Sequence, residues 1–290
     1  QMKSVGEVMA IGRTFQESLQ KAIHGLEIGR DGLCELFNSK NEEISSLKTS
    51  LSTPNPDRLW YIADSLRLGF SELEVASLTK IDPWFIYQIS EIVSEEKKLI
   101  NSQLKELNKE KMVQLKRKGF SDSRLATLFN TSEERIRHKR NQLGVQPVYK
   151  RVDTCAAEFE STTAYMYSTY EEECEADPSD KKKVIVLGGG PNRIGQGIEF
   201  DYCSVHSSWA LQKSGFKSIL VNSNPETVST DFDTSDRLYF EPLDYESLRN
   251  IIDNENLDHV NEPSKMPPSL VQFGGQTAIN LSQQFASSGM

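Results

Sequence analysis

Three consecutive glycines, Gly188-Gly189-Gly190, follow the apolar run Val184-Ile185-Val186-Leu187 and precede a helical pattern that reaches Lys213. A strand-to-helix turn of this kind lets backbone amides approach a phosphate, and the helix dipole favours the anion. The spacing completes neither common nucleotide motif. With glycines at 188, 190 and 195, the pattern G-x-G-x-x-G fails at Arg193, and no Gly-Lys-Ser/Thr follows to make a P-loop. The residues favour a tight turn with close helix–strand packing. A free-standing nucleotide-binding enzyme built on 181–290 is the alternative.

A second group of chemically suggestive residues lies between 115 and 143, a stretch shaped like a DNA-reading helix–turn–helix. Residues 105–140 hold 11 basic and 5 acidic side chains, and Arg135, Arg137, Lys139 and Arg140 could meet phosphates along one helix. Against that, Glu133 and Glu134 crowd the helix start, and the four basic residues do not share one face. A packing hairpin is the favoured reading. His138 and His206 lack a cysteine or carboxylate at ligand spacing, so neither points to a metal site. The run Glu171-Glu172-Glu173-Cys174-Glu175 reads as a solvated linker.

These groups must be positioned by three segments. Residues 1–27 carry a short buried stretch at 4–12 and then one helix. Thr14 and Glu17 have capping-box spacing, and Phe15, Leu19, Ala22, Ile23 and Leu26 form its apolar stripe. Residues 28–175 read as helical. Pro56, the Ser71/Glu74 capping box and Asp82-Pro83 mark helix starts, and Gly69 marks a stop. An echo appears at a shift of 50: Arg67, Gly69, Phe70, Ser71, Val75, Ala76 and Leu78 match Arg117, Gly119, Phe120, Ser121, Leu125, Ala126 and Leu128. Residues 176–290 alternate strands at 184–187, 218–221, 237–240 and 269–273 with helices at 197–213, 245–254 and 277–287. That alternation implies a parallel sheet covered by helices on both faces. The fold class expected is an all-helical domain followed by a parallel α/β domain.

Composition sets outer limits. Hydrophobic residues make up 37% and charged residues 26% of 290, which is globular, and the formal charge is −9. A negative balance disfavours unspecific binding to nucleic acid or acidic membranes, and no apolar run is long enough to span a bilayer. Cysteines 34, 155, 174 and 203 show no paired spacing, so reduced thiols in a cytoplasmic setting are expected. Gln1-Met2-Lys3 and Gly289-Met290 read as ends cut from something longer.

Longer motifs add a family. Val186-Leu187-Gly188-Gly189-Gly190-Pro191-Asn192-Arg193-Ile194-Gly195-Gln196-Gly197-Ile198-Glu199-Phe200-Asp201-Tyr202 resembles the opening of the second synthetase half of carbamoyl-phosphate synthetase large chains. Asn224 to Asp231 and Phe273 to Thr277 are similar to that half's next two loops. Tyr149 to Ala156 and Tyr165 to Tyr170 resemble the end of the family's oligomerisation domain, and Met2 onward resembles the close of the first half. The resemblance implies a Rossmann-like domain that precedes an ATP-grasp fold and does not itself hold nucleotide. It implies a glutamine-dependent ligase that makes carbamoyl phosphate from bicarbonate, ammonia and two ATP, serving arginine or pyrimidine synthesis. The parent enzyme would use ATP with Mg or Mn, and K, bound outside this sequence. Its partners would be a glutaminase small chain and other copies of itself, and this piece alone would be inactive. Glu7, Gly197, Glu199 and Glu226 stand where the family lines an internal passage for carbamate. Ionised carboxylates would repel that anion, so a neutral cargo or a carboxyl kept protonated by burial is expected.

Overall fold

The structure, a computed structural model, describes residues 6–37, 43–161, 163–194, 197–256 and 266–287. The motif residues Met2, Lys3, Ser4, Val5, Gly195, Gln196, Gly289 and Met290 lie outside the described residues. The chain divides into two compact units. One contains residues 14–20 and 29–144, and the other contains 1–13, 21–28 and 145–290. Helix α1 (Phe15–Gly25) is shared between them.

The first unit is helical: α2 (Ile44–Ser52), α3 (Arg58–Arg67), α4 (Glu72–Thr79), α5 (Pro83–Ile100), α6 (Lys109–Arg117), α7 (Asp122–Leu128) and α8 (Glu133–Gln142). The echo in sequence is an echo in backbone. Helices α3 and α6 both end in a left-handed glycine, Gly69 at φ +94° and Gly119 at φ +85°. In each, the next residue closes the same loop: Phe70 N–H donates to Ser65 O at 3.0 Å, and Phe120 N–H to Leu115 O at 3.2 Å. This is the Schellman stop, which satisfies carbonyls that the helix end leaves open. The following serine then starts the next helix. Ser71 Oγ accepts from Glu74 N–H at 3.3 Å, and Ser121 Oγ accepts from Arg124 N–H at 2.9 Å. Ile62, Val75, Ile86, Ile92, Met112, Leu115, Leu125 and Ile136 are buried between these helices.

Charges are buried there as well, each in company. Glu96 accepts from Arg67 at 2.6 Å and from Arg124 at 2.8 Å. Asp122 lies 3.1 Å from both Lys116 Nζ and Arg140 Nη2.

The second unit is built on a sheet, six-stranded among the described residues. Its strands are β2 (Val148–Arg151), β3 (Tyr165–Thr169), β4 (Lys183–Leu187), β6 (Lys217–Asn222), β7 (Arg237–Phe240) and β8 (Ser269–Leu270), in the order β2-β3-β7-β6-β4-β8. Only the β2–β3 pair is antiparallel. Alternate residues serve opposite faces. Ile185, Leu187, Ile219, Val221 and Tyr239 pack with Leu248, Ile251 and Ile252 of α10 (Tyr245–Glu255) and with Ala278, Leu281 and Phe285 of α11 (Gly275–Ser287). Their neighbours Leu220, Leu238 and Phe240 form a second cluster. Ser208 of α9 (Ile198–Lys213) donates to Ser218 Oγ at 2.7 Å on that second face. Helices on both faces are what the near-continuous apolar strands require.

Two differences from the sequence reading concern strands. Strands β2 and β3 fall in the stretch read as helical. They are short, β2 is an edge, and its Lys150 side chain and Arg151 N–H both turn to Glu175, leaving Tyr149 as the one buried residue and hiding the alternation. The strand expected over 269–273 stops at Leu270 and gives way to a 3-10 turn at Gln272–Gly274.

The N-terminal pieces of this unit are tied in by a lysine. Lys21 Nζ donates to Ile11 O at 3.1 Å, to Ser168 O at 2.6 Å and to Glu241 Oε1 at 3.1 Å. Each of its three protons has an acceptor, so the ammonium can sit largely out of water.

Candidate functional site

Of the four residues expected to line a passage, Gly197 and Glu226 share one pocket in the sheet unit, outside the carboxyl ends of β4 and β6, and Glu7 and Glu199 adjoin its lining residues. A pocket of about 200 Å³ is lined by Gly189, Asn192, Gly197, Asn224 and Glu226, among others. Glu7 reaches this wall through the backbone: β1 (Gly6–Glu7) pairs antiparallel with β5 (Asn192–Arg193), placing Glu7 opposite Asn192. Asn192 Nδ2 in turn donates to Glu226 Oε2 at 3.4 Å. Glu199 lies against Gly197, because a Cβ built on that glycine would land on the Glu199 carboxylate. Glu7, Glu199 and Glu226 are all exposed in this chain.

Gly197 is not a glycine for conformational reasons. Its φ of −80° and ψ of 148° are open to any residue. What a side chain there would lose is space.

Beside that pocket lies a larger cavity of about 1080 Å³, lined by Glu27, Arg193, Phe200, Gln276, Thr277 and Asn280 among others, and by none of the four. It sits between the loops that follow β4 and β8. The chain runs from β4 to β6 on one side and reaches β8 on the other, so this is the switch point where open α/β sheets take ligands. The glycine-rich turn packs behind the lining residues Glu27 and Thr277, and its groups are already engaged. Gly190 N–H donates to Asn222 Oδ1 at 3.0 Å. Glu27 Oε2 accepts from Arg193 Nη2 at 3.0 Å and from Thr277 Oγ1 at 2.7 Å. Gly190, at φ +77°, must be glycine for this approach as well, since a Cβ would stand 2.6 Å from Glu27 Oε1. Burial pushes the Glu27 carboxyl above its ordinary value, against the pull of Thr277 and Arg193. Sequence reasoning missed Glu27. Its partners are 166 and 250 positions away, and no local spacing marks it.

The nucleic-acid reading loses its residues. Arg137 and Arg140 are buried in α8, and Arg140 pairs with Asp122, which leaves Arg135 exposed and Lys139 half-buried. His138 shares a hydrogen bond with Gln142 at 2.9 Å, and exposed His206 lies between the rings of Tyr202, tilted against it, and Trp209, edge to face. Cysteines 34, 155, 174 and 203 are free, and no described helix is long and apolar enough to cross a membrane.

Comparison with known families decides the lineage. Residues 7–144 match the pattern described as "Carbamoyl-phosphate synthetase large chain, oligomerisation domain", and residues 180–290 match "Carbamoyl phosphate synthase preATP-grasp domain". Proteins named carbamoyl phosphate synthase large chain are similar along the whole sequence. The one from Pasteurella multocida is 56% identical over 290 residues, and those from Pseudomonas syringae pv. tomato and Neisseria meningitidis serogroup B are each 54% identical over 291 and 290 residues. The chain belongs to the carbamoyl-phosphate synthetase large-chain family. Each of these alignments covers 100% of this chain and 26% of the relative, so the chain spans about a quarter of the length of the synthetases it matches. Within the synthetase large chain, the helical unit corresponds to the oligomerisation region, and most of the sheet unit corresponds to the region before an ATP-grasp domain.

Proposed function

We propose that this chain is the centre of a glutamine-dependent carbamoyl-phosphate synthetase, where it supplies an assembly surface and part of the wall of a carbamate passage. The observation that supports the reading is that Gly197 and Glu226 line one small pocket, while Glu199 lies against Gly197 and Glu7 pairs through the backbone with the lining residue Asn192, although 219 positions separate Glu7 from Glu226. A pocket of about 200 Å³ is ample for an ion the size of carbamate. In this reading ATP, its Mg or Mn, and K are held by parts of the longer cytoplasmic enzyme outside this sequence. The glutaminase small chain delivers ammonia, the helical unit pairs with other copies, and the piece alone turns over nothing. Glu27 supports the absence of nucleotide from the switch point, because its carboxylate takes the donors a phosphate would need.

The test is Gly197→Leu in the full-length enzyme. Leucine at 197 costs no backbone strain, and its side chain must displace the Glu199 carboxylate. Carbamoyl-phosphate synthesis should fall while bicarbonate-dependent ATP hydrolysis continues, uncoupling the two. Unchanged synthesis would remove Gly197 and its neighbours from the role.

A further inference from the structure

We infer that the Glu27 carboxylate is a built-in occupant of an anion site at the switch point, and that it is the residue which keeps phosphate groups out of the 1080 Å³ cavity. The site consists of a guanidinium and a hydroxyl that converge on one oxygen. Arg193 Nη2 lies 3.0 Å and Thr277 Oγ1 lies 2.7 Å from Glu27 Oε2, and Arg193 also receives support from Thr277 at 2.8 Å. An arginine fork with a hydroxyl beside a glycine turn is the donor set that recognises phosphate oxygens. Here the chain satisfies it internally. The second carboxylate oxygen is packed against Gly190 and meets no donor, as expected of a group whose task is to fill the space and cancel the charge.

The backbone underlines the point. Glu27 stands at φ +54°, a left-handed conformation that favours glycine or asparagine. The chain accepts an unfavourable residue for that turn, and the side chain it gains is the one that reaches Arg193 and Thr277. The inference is independent of the passage reading, which concerns the neighbouring pocket and different residues.

The test follows phosphate on the full chain. Glu27→Gly empties the site and suits the backbone at 27, so inorganic phosphate is titrated against the native chain and this variant and followed by phosphorus NMR line broadening. Removing one negative charge a few ångströms from the phosphate takes away a strong repulsion. Solvent screening reduces that, so binding at least about tenfold tighter than in the native chain is expected. Adding Arg193→Met to the variant should abolish the gain. The inference falls if Glu27→Gly shows no saturable binding, if the native chain binds equally well, or if the double variant keeps the gain. Should Glu27→Gly not fold by circular dichroism, Glu27→Asn is read the same way. Failure of both to fold also counts against the inference, because it makes the carboxylate a structural requirement and not an occupant.

Discussion

Gly69 and Gly119 close equivalent turns in the two helical repeats, yet replacing each by alanine should have different consequences. Both sit at left-handed φ, so each alanine loses about 1–2 kcal/mol to backbone strain. At Gly69 that is the whole effect, since a Cβ there would have nothing within 4 Å. At Gly119 the Cβ would stand 2.9 Å from Glu17 Cα and 3.0 Å from Glu17 O. These are backbone atoms of α1, held in place by Gln20 Nε2 donating to Lys118 O at 2.8 Å, so they cannot swing aside. Overpacking of this kind adds about 1–3 kcal/mol, giving a total of about 2–5 for Gly119→Ala against about 1–2 for Gly69→Ala. Urea unfolding followed by tryptophan emission measures the difference. Of the three tryptophans, Trp60 and Trp84 lie in the helical unit and Trp209 in the sheet unit, so a Trp209→Phe background reports the helices alone. With a slope of about 1–3 kcal/mol per molar urea, a gap of about 2 kcal/mol separates the midpoints by roughly 1 M. Coincident midpoints would refute the close approach of α1 to the second turn.

Two further outcomes are expected of the helical unit. Burial alone would raise Asp122, but Lys116 and Arg140 hold its carboxyl below the ordinary range, so Asp122→Ala removes an acceptor shared by two buried cations and should cost about 3–5 kcal/mol in the same urea assay. A loss under about 1 kcal/mol would mean those cations find other acceptors. Glu95 is pushed up by partial burial but drawn down to about 2 by Lys111, Lys98 and Lys118. Its folded value lies below the ordinary 4.5, so its contribution is fully present above 4.5 and is lost as pH falls toward 2. The stability difference between native chain and Glu95→Gln should therefore shrink across that window, and a difference that is flat with pH would exclude the lysine cluster as the cause.

Much of the fold could be read from the residues, because local rules dominate there. The Ser71/Glu74 box, the Asp82-Pro83 start and the Gly-Phe-Ser turns each act over three or four residues, and each forms as the spacing requires. Three buried runs of the sheet unit, at 184–187, 218–221 and 237–240, were equally legible as strands. Strands β2 and β3 were not, because an edge strand needs only one good face and Val148-Tyr149-Lys150-Arg151 offers a single buried tyrosine. The candidate site divides in the same manner. Composition and spacing marked the glycine turn and argued against nucleotide, but the passage residues came only through the family's longer motifs. Lys21 and Glu27 were invisible as anything beyond members of an amphipathic helix and its exit. Their partners are set by tertiary structure, which no window of sequence contains.

Lys21 has a practical consequence for anyone dissecting this protein. A piece cut to begin at residue 145 would keep every strand of the large sheet yet discard the ammonium that Glu241 and the Ser168 carbonyl surround. That carboxylate, 2% exposed, would be left facing an empty socket, and the excised domain would start life with an uncompensated charge in its interior. Supplying residues 6–28 as a separate peptide restores the missing plug, which makes the sheet unit a natural candidate for assembly from two fragments.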